Sequence, residues 1–260
     1  MKKTTFLKQL LIAITLLVSQ FWSTIVAQTF EAKIDSILSL KYKSMTPGAV
    51  FMIAKDNKII FKKAFGLANI ELNAPVKPES VFEIGSMTKQ FTAITILMLM
   101  EKGKLNLNDE ITKYIPDYPT NGKKITIHHL LTHTSGIKSY TSMKALNDIA
   151  SKDLTPIELI DFFKNEPMDF NPGDKFKYNN SGYIILGHII ESITGQSYAS
   201  FIEEHLFKKL GMTSSLFASH RKVIKNRAYG YQKKEDYVLS LIHISEPTRQ
   251  DTRSRMPSSA

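Results

Sequence analysis

Cysteine is absent from the 260 residues of this sequence. Its absence excludes disulfide bonds, cysteine nucleophiles and thiolate metal sites, and it also excludes a lipid anchor attached through cysteine. A protein without disulfides depends on its hydrophobic core for stability, and the roughly 210 residues from 28 to 238 are enough to bury one. We therefore predict one domain with a substantial core, or two closely packed lobes.

Long hydrophobic runs are absent as well. The apolar run near the N terminus, Leu10–Val18, is well short of the ~20 residues that a bilayer span needs. It follows Lys2, Lys3 and Lys8 and precedes the small-residue stretch STIVAQ, an order typical of a cleavable secretory signal. We therefore predict a signal peptide over residues 1–27, no stable membrane anchor after its removal, and a periplasmic or secreted location.

Positive charge is in excess but is not clustered. The formal net charge is +10 at pH 7, and the lysines are scattered along the chain. A nucleic-acid-binding surface needs basic residues gathered on one face, and the sequence contains no basic helix or strip of basic and aromatic residues. We therefore predict a solvated basic surface and no nucleic-acid partner.

The last residues have an unusual sequence. LSLIHISEPTR, at 239–249, resembles the translation of an adapter used in DNA-sequencing libraries, and SRMPSSA, at 254–260, resembles the outer part of the same adapter. The alternative is a natural disordered tail rich in serine and arginine. Because two segments match in order, our hypothesis is that the native sequence is interrupted near Val238. Residues 28–238 would then be an incomplete native domain, and residues 239–260 a non-native tail.

Hydrophobic periodicity predicts a mixed α/β fold. GAVFMIA and IIFKKAFG have the pattern of two strands joined by a tight turn at Asp56-Asn57. Because two strands do not make a stable sheet, we expect further strands from the C-terminal part of the protein to pair with them. The helix that begins at Ser86 is apolar on nearly all sides and is expected at the centre of the domain. The predicted helices cover residues 30–43, 86–102, a segment opening at the capping box Thr155–Glu158, 180–195 and 198–210.

Three serines precede a lysine by three positions, and one of them has a distinctive setting. Ser86 begins a predicted helix, so Lys89 lies one turn further along on the same face. The helix N terminus and burial under an apolar helix both disfavour a positive charge on Lys89. An uncharged lysine can accept the proton of the serine hydroxyl, which is a poor nucleophile without a base.

The other two serines lack this setting. Gly136 ends any helix between Ser135 and Lys138, and Ser219 lies in the polar run ASHRKVIK. The sequence therefore selects Ser86 and Lys89 as the candidate nucleophile and base.

The segment FKYNNSGY supplies two further candidates. Tyr178 precedes a predicted helix, where its phenol can exchange a proton with a neighbouring lysine. Asn180 carries an amide that can hydrogen-bond both that lysine and a substrate carbonyl. The alternatives are a tyrosine at the edge of the core and an asparagine that only caps the helix.

Three histidines in TIHHLLTHTSG raise the question of a metal site. His129 and His133 have the spacing of two ligands on one helix face, but Leu130 follows His129 where a zinc-protease helix has glutamate. We predict no metal site and interpret the segment as a structural turn, in which His133, Thr134 and Ser135 bond the backbone around Gly136.

Five motifs occur in order along the chain: GSMTK, KGKLNLNDEITKYIPD, ITIHHLLTHTSGI, FKYNNSGYIILGHIIESITGQSY and LFKKLGMTSS. Together they resemble the serine β-lactamase/penicillin-binding superfamily, in particular its class C β-lactamase and D,D-carboxypeptidase-like branch. The resemblance runs from about Gly48 to about Tyr231. It implies an α/β fold with an antiparallel sheet flanked by helices and an all-helical lobe. It also implies acyl transfer through a serine ester, without metal or organic cofactor, on a small-molecule or peptide substrate: a β-lactam, a D-amino-acid peptide or an ester.

The resemblance also implies roles for individual residues. Ser86 would be the nucleophile and its N–H half of the oxyanion hole, Lys89 its proton acceptor, Tyr178 the general acid/base and Asn180 a substrate-positioning group. Asn179 stands where the branch usually has serine or alanine, and we expect its side chain to point away from the site.

The third motif of the superfamily, a Lys/His-x-Gly strand, is not found after Tyr231. A second hypothesis is therefore that this chain by itself is inactive and has an unpaired sheet edge prone to aggregation. A rival of another class is a non-hydrolysing binding or scaffold protein on the same fold. The presence of Ser86, Lys89, Tyr178 and Asn180 favours the enzyme. The sequence predicts no particular oligomeric state.

Overall fold

The computed structural model describes residues 29–149, 152, 154–218 and 223–239. The chain divides into two compact units, residues 1–78 and 79–260. The signal-peptide prediction for residues 1–27 lies outside the described residues, as does the tail prediction beyond Leu239.

In its described part, residues 29–78, the first unit contains one helix and two antiparallel strand pairs. Its helix opens at Thr29, whose side chain accepts a hydrogen bond from the Ala32 N–H. The predicted hairpin is confirmed, and both turn residues, Asp56 and Asn57, have positive φ, as the favoured two-residue hairpin turn requires. The elements are α1 (Phe30–Lys41), β1 (Ala49–Lys55), β2 (Lys58–Phe65), β3 (Leu67–Asn69) and β4 (Ala74–Pro75).

The second unit is mainly helical. The predicted capping box is present, since the Thr155 and Glu158 side chains each bond the other residue's backbone N–H. The helices are α2 (Thr88–Glu101), α3 (Ile127–Leu131), α4 (Leu146–Ile149), α5 (Pro156–Phe163), α6 (Ser181–Thr194) and α7 (Tyr198–Ile202), which continues as a π-helical turn (Glu203–Phe207). Short 3₁₀ turns cover Gly85–Met87, Ile111–Lys113 and Tyr140–Ser142, and a final antiparallel pair joins β5 (Tyr231–Lys233) to β6 (Tyr237–Leu239).

The centre of this unit is α6, not α2. Ile184, Ile185 and Ile189 of α6 are fully buried. The prediction that α2 is buried at the centre of the domain is wrong, because its residues Ile94 and Leu97 are 45% and 41% exposed. The buried side chains of α2 lie on one face: Lys89, Thr92, Thr95, Ile96 and Leu99.

The described residues therefore combine helices with three antiparallel strand pairs, the mixed α/β class that the sequence predicts. Within the same residues, every helix is too short or too polar to cross a bilayer.

Candidate active site

Ser86 lies where an irregular segment turns into α2. Gly85, directly before it, has φ of +54°, a left-handed conformation that other residues adopt only with strain. This glycine lets the chain enter the 3₁₀ turn Gly85–Met87, which leads directly into α2 at Thr88. Ser86 is thereby held at the N-terminal end of a helix, where backbone N–H groups lack intrahelical acceptors.

Three of the four predicted site residues meet at one oxygen atom. Lys89 Nζ donates a hydrogen bond to Ser86 Oγ at 3.3 Å, and the Tyr178 hydroxyl donates to the same oxygen at 2.7 Å. Ser86 and Lys89 are one helical turn apart, whereas Tyr178 comes from the segment before α6, 92 positions along the chain. Ser86 Oγ thus has two groups beside it that can take up or return a proton.

Aromatic rings rather than carboxylates surround the Lys89 amine. Nζ lies 5.1 Å from the ring centre of Tyr178 and 5.4 Å from that of Tyr183, and the residue is 6% exposed. None of the ion pairs found among the described residues includes Lys89. Burial raises the pKa of Tyr183, and the neighbouring Tyr178 raises it further, so Tyr183 stays neutral. Among the described residues, the partners of the amine are therefore Ser86 Oγ and the two aromatic rings rather than a carboxylate.

Asn180 lies close in sequence but bonds elsewhere. Its Nδ2 donates to Thr141 Oγ1 at 3.0 Å and its backbone N–H to Ser139 Oγ at 3.3 Å. No hydrogen bond to Lys89 is found among the described residues, which differs from the sequence expectation. The Oδ1 atom of Asn180 is buried and has no partner in the described part of the chain. The side chain thus presents an unused acceptor.

Asn179, not Asn180, caps α6 with its side chain. The Oδ1 atom of Asn179 accepts the Gly182 N–H at 2.8 Å, and its Nδ2 donates to the Ile137 carbonyl. Both bonds hold this buried side chain to backbone groups, and none of its hydrogen bonds within the described residues involves Ser86. Asparagine at this position therefore contributes to the scaffold that orients Tyr178.

The histidine-rich segment forms the structural turn that was predicted. The His133 carbonyl accepts the Lys177 N–H, and Ser135, 1% exposed, accepts the Ile137 N–H at its Oγ. His129 is a helix cap, because its Nδ1 accepts the Thr126 N–H. No group of three or more metal-ligating side chains is found in the described ranges. The third serine–lysine pair, at 219–222, lies outside them.

Asp169 joins the two segments that flank the site. Its Oδ1 accepts from Lys138 Nζ at 3.0 Å and its Oδ2 from Lys177 Nζ at 2.6 Å. Its N–H also donates to the Gly136 carbonyl at 2.8 Å. Burial raises the pKa of Asp169, but the two lysine ammonium groups lower it by more, so the net shift is downward. Asp169 thus connects the turn around Gly136 to the residue that precedes Tyr178.

Replacing Asp169 with asparagine is expected to lower the free energy of unfolding by about 1–2 kcal/mol at pH 7, because two charge-assisted bonds are lost at a partly exposed site. A carboxylate whose folded pKa is depressed stabilises the protein fully above its unfolded pKa and loses that contribution as pH falls through the folded value. The difference between wild type and variant should therefore stay constant from pH 7 to about pH 5 and shrink below about pH 4.

Urea unfolding between pH 3 and pH 8 measures this difference. Asp174→Asn, at an exposed carboxylate of the same segment, is the control and should change stability little. A difference for Asp169→Asn that persisted unchanged at pH 3 would contradict the proposed origin in the two ion pairs.

Three residues near the site were not predicted from the sequence: Tyr183, Asp169 and Thr141. Tyr183 could have been found, since it lies five positions after Tyr178 in the same motif and on the first turn of a predicted helix. Asp169 and Thr141 reach the site only through the fold, and no local pattern distinguishes them from surface polar residues.

Comparison with known proteins relates the chain to one family. A family model described as Beta-lactamase matches residues 26–247. Penicillin-binding protein 4* of Bacillus subtilis (strain 168) is 35% identical over 196 residues, which cover 72% of this chain and 43% of that protein. Protein flp of Staphylococcus aureus (strain MRSA252) is 32% identical over 207 residues, 78% of this chain and 41% of flp.

Solved structures agree with this relationship. The octameric penicillin-binding protein homologue from Pyrococcus abyssi superposes with a TM-score of 0.70 and 35% identity, over 85% of this chain and 51% of that one. The chain spans less than half the length of the curated relatives it matches.

Proposed function

The chain belongs to the Beta-lactamase family, and from that membership we propose that it is a serine acyl-transfer enzyme. It has the fold of the family's serine hydrolases. The observation that carries the proposal is the convergence of Lys89 Nζ and the Tyr178 hydroxyl on Ser86 Oγ. A nucleophile with a proton acceptor within hydrogen-bond reach is the arrangement that covalent catalysis requires.

The proposed reaction begins with loss of the Ser86 proton. Lys89 reacts in the form that has released its ammonium proton: its Nζ accepts the serine proton while Oγ attacks the carbonyl carbon of the substrate, and the carbonyl oxygen becomes an oxyanion. When the tetrahedral intermediate collapses, the bond to the leaving group breaks and Tyr178 gives that group a proton. Lys89 then returns the proton to Tyr178. Water then attacks the carbonyl carbon of the resulting ester and gives one proton to Tyr178 or Lys89. The bond to Ser86 Oγ breaks, Oγ takes that proton, and the acid product leaves.

Two further groups are assigned to substrate binding. The unused Oδ1 of Asn180 is suited to accept a hydrogen bond from a substrate N–H, rather than to bind a carbonyl as the sequence suggested. The N–H of Ser86, at the helix N terminus, is assigned as one oxyanion donor, and loss of such a donor typically costs about 2.7–4 kcal/mol.

The proposed substrates are acyl compounds with a strained or activated carbonyl: a β-lactam, a D-amino-acid peptide or an ester. The relative from Bacillus subtilis and the archaeal structure are both described as penicillin-binding or homologous to such proteins, which supports a β-lactam as first probe. We further propose that the protein is exported by residues 1–27 and that residues 28–238 are part of the catalytic domain.

A fluorescent penicillin tests the proposal. The product of the intact gene and the 260-residue chain are incubated with it in parallel, and intact mass and peptide mapping locate any adduct. We expect one penicilloyl group per protein, on the peptide that contains Ser86. An adduct in the intact gene product alone would support the hypothesis that the chain by itself is inactive. If neither protein reacts with the penicillin, a D-amino-acid ester or an aryl ester, the proposal is wrong and a binding role is favoured.

A further inference from the structure

The ring of His133 packs against the ring of Tyr178, and its polar groups bond the two residues that flank Tyr178. The imidazole lies 4.7 Å from the Tyr178 ring and 5.1 Å from the Tyr183 ring, tilted by 36° and 32°. The His133 carbonyl accepts the N–H of Lys177 at 3.0 Å, and its Nδ1 accepts the N–H of Asn179 at 3.1 Å. One residue thus binds the backbone on both sides of Tyr178 and also packs against the phenol.

The bond from Asn179 requires a particular form of the imidazole. Because the backbone N–H is a donor, Nδ1 must offer its lone pair, which fixes the neutral tautomer with its proton on Nε2. A second proton, on Nδ1, would turn this nitrogen into a donor that faces the Asn179 N–H, which is also a donor. It would also place an imidazolium near Lys89, the cation whose charge acts on this histidine.

We propose that neutral His133 is the positioning residue of Tyr178, and that protonation of its imidazole releases Tyr178 from Ser86. The inference rests on the proposed function, because it concerns the rate at which Ser86 is acylated. The hydrogen bonds of His133 to both neighbours of Tyr178 support the inference, together with the tilted ring contact.

The surroundings of His133 favour its neutral form. Burial lowers the pKa of His133, and the positive charge of Lys89 on α2 lowers it further. The groups that face it from α6 and the preceding segment are the phenols of Tyr183 and Tyr178, and the nearby Lys177 amine is paired with Asp169. The imidazole is therefore neutral at pH 7 and gains a proton only below the ordinary value of 6.5.

The first arm of the test needs no activity. In protein with ¹⁵N-labelled histidine, the His133 ring nitrogens report protonation and tautomer, and the Asn179 amide proton reports the hydrogen bond. We expect the Nε2–H tautomer at pH 7 and a common titration of both signals in acid. Lys89→Met should raise the pKa of His133, since a neighbouring positive charge is removed. A protonated His133 at pH 7, or the opposite tautomer, would overturn the inference whatever the enzyme does.

The second arm compares acylation rates. His133→Asn keeps an acceptor near the Nδ1 position, and asparagine tolerates the positive φ of +59° at this residue, so the variant should fold. The asparagine side chain lacks the imidazole ring and cannot be protonated. We expect the rate to fall about ten- to a hundredfold at pH 8, because Tyr178 is less well positioned. His128→Asn, at an exposed histidine of the same segment, is the control and should match the wild type at every pH.

The decisive quantity is the ratio of the acylation rates of the wild type and His133→Asn, because pH effects common to both proteins cancel in it. The ratio should be constant above the pKa of His133. Below that pKa it should fall toward one, because Tyr178 is then no longer held in position in the wild type. A merely structural role of His133 predicts a ratio that does not change with pH. If the wild type is acylated and the ratio is constant, the inference about His133 is wrong but the proposed function stands. Absence of acylation in the wild type at every pH would overturn the proposed function, and the positioning role of His133 in acylation with it.

Discussion

Replacing Lys89 with methionine is expected to slow acylation of Ser86 by about a hundred- to ten-thousandfold, the range that a positioned proton acceptor contributes. Methionine has a similar length, so its terminal methyl group can occupy the place that Nζ takes beside the Tyr178 and Tyr183 rings. It cannot accept the serine proton. Ser86 Oγ would retain only the Tyr178 hydroxyl as a partner for proton transfer.

The same substitution should leave the protein folded and raise its melting temperature. Lys89 is 6% exposed in the wild type and its amine has no carboxylate partner among the described residues, so a polar group is buried there at a cost in stability. Residues that serve catalysis often destabilise the fold in this way. The combination of lost activity and increased stability separates a catalytic lysine from a structural one.

Stopped-flow acylation and thermal unfolding monitored by circular dichroism provide both measurements. Ser86→Ala gives the baseline without nucleophile. Lys102→Met, at an exposed lysine that ends α2, is the matched control and should retain the wild-type rate. A rate for Lys89→Met within tenfold of wild type would show that Lys89 is not the proton acceptor.

Replacing Gly136 with alanine is expected to lower the free energy of unfolding by about 3 kcal/mol or more, the range of backbone strain combined with overpacking. A Cβ atom at this position would lie 1.9 Å from the Phe170 carbonyl oxygen, and the residue has φ of +72°. The neighbouring backbone cannot retreat easily, because the Asp169 N–H is bonded to the Gly136 carbonyl. Relief of the clash would disturb Asp169 and, through its ion pair with Lys177, the segment of Tyr178.

Gly195→Ala separates the clash from the backbone strain. Gly195 ends α6 with φ of +66°, but a Cβ atom there would have no neighbour within 4 Å. Its replacement should cost only about 1 kcal/mol, the ordinary price of a left-handed alanine. Urea unfolding of the two variants measures the difference directly. Equal costs would mean that the Gly136 turn can move, and that the contact with Phe170 does not constrain the site.

Local patterns were sufficient for much of the secondary structure. The hairpin at Asp56-Asn57 follows from turn chemistry, and the helix at Thr155 follows from its capping box. Both depend on residues within a few positions of each other. The same holds for Ser86 and Lys89, whose spacing on one helical turn brings their side chains together.

The burial of α2 could not be predicted in this way. Its apolar residues occur on all sides, but only contacts with other elements decide which side is covered, and α6 covers one face. The orientation of Asn180 was also undetermined, because an amide at a helix start can bond in several directions and Thr141, far away in sequence, selects one.

The sequence by itself determined the mixed α/β class, the family motifs and the pair Ser86–Lys89, because these depend on composition, order and short-range spacing. Only the tertiary structure brought Tyr178 to the serine oxygen. It also placed His133 against Tyr178, Tyr183 beside Lys89, and Asp169 against Lys177. The reason is physical: side chains separated by tens of residues meet only where a packed core fixes the distance between the segments that carry them, and no local pattern encodes that distance.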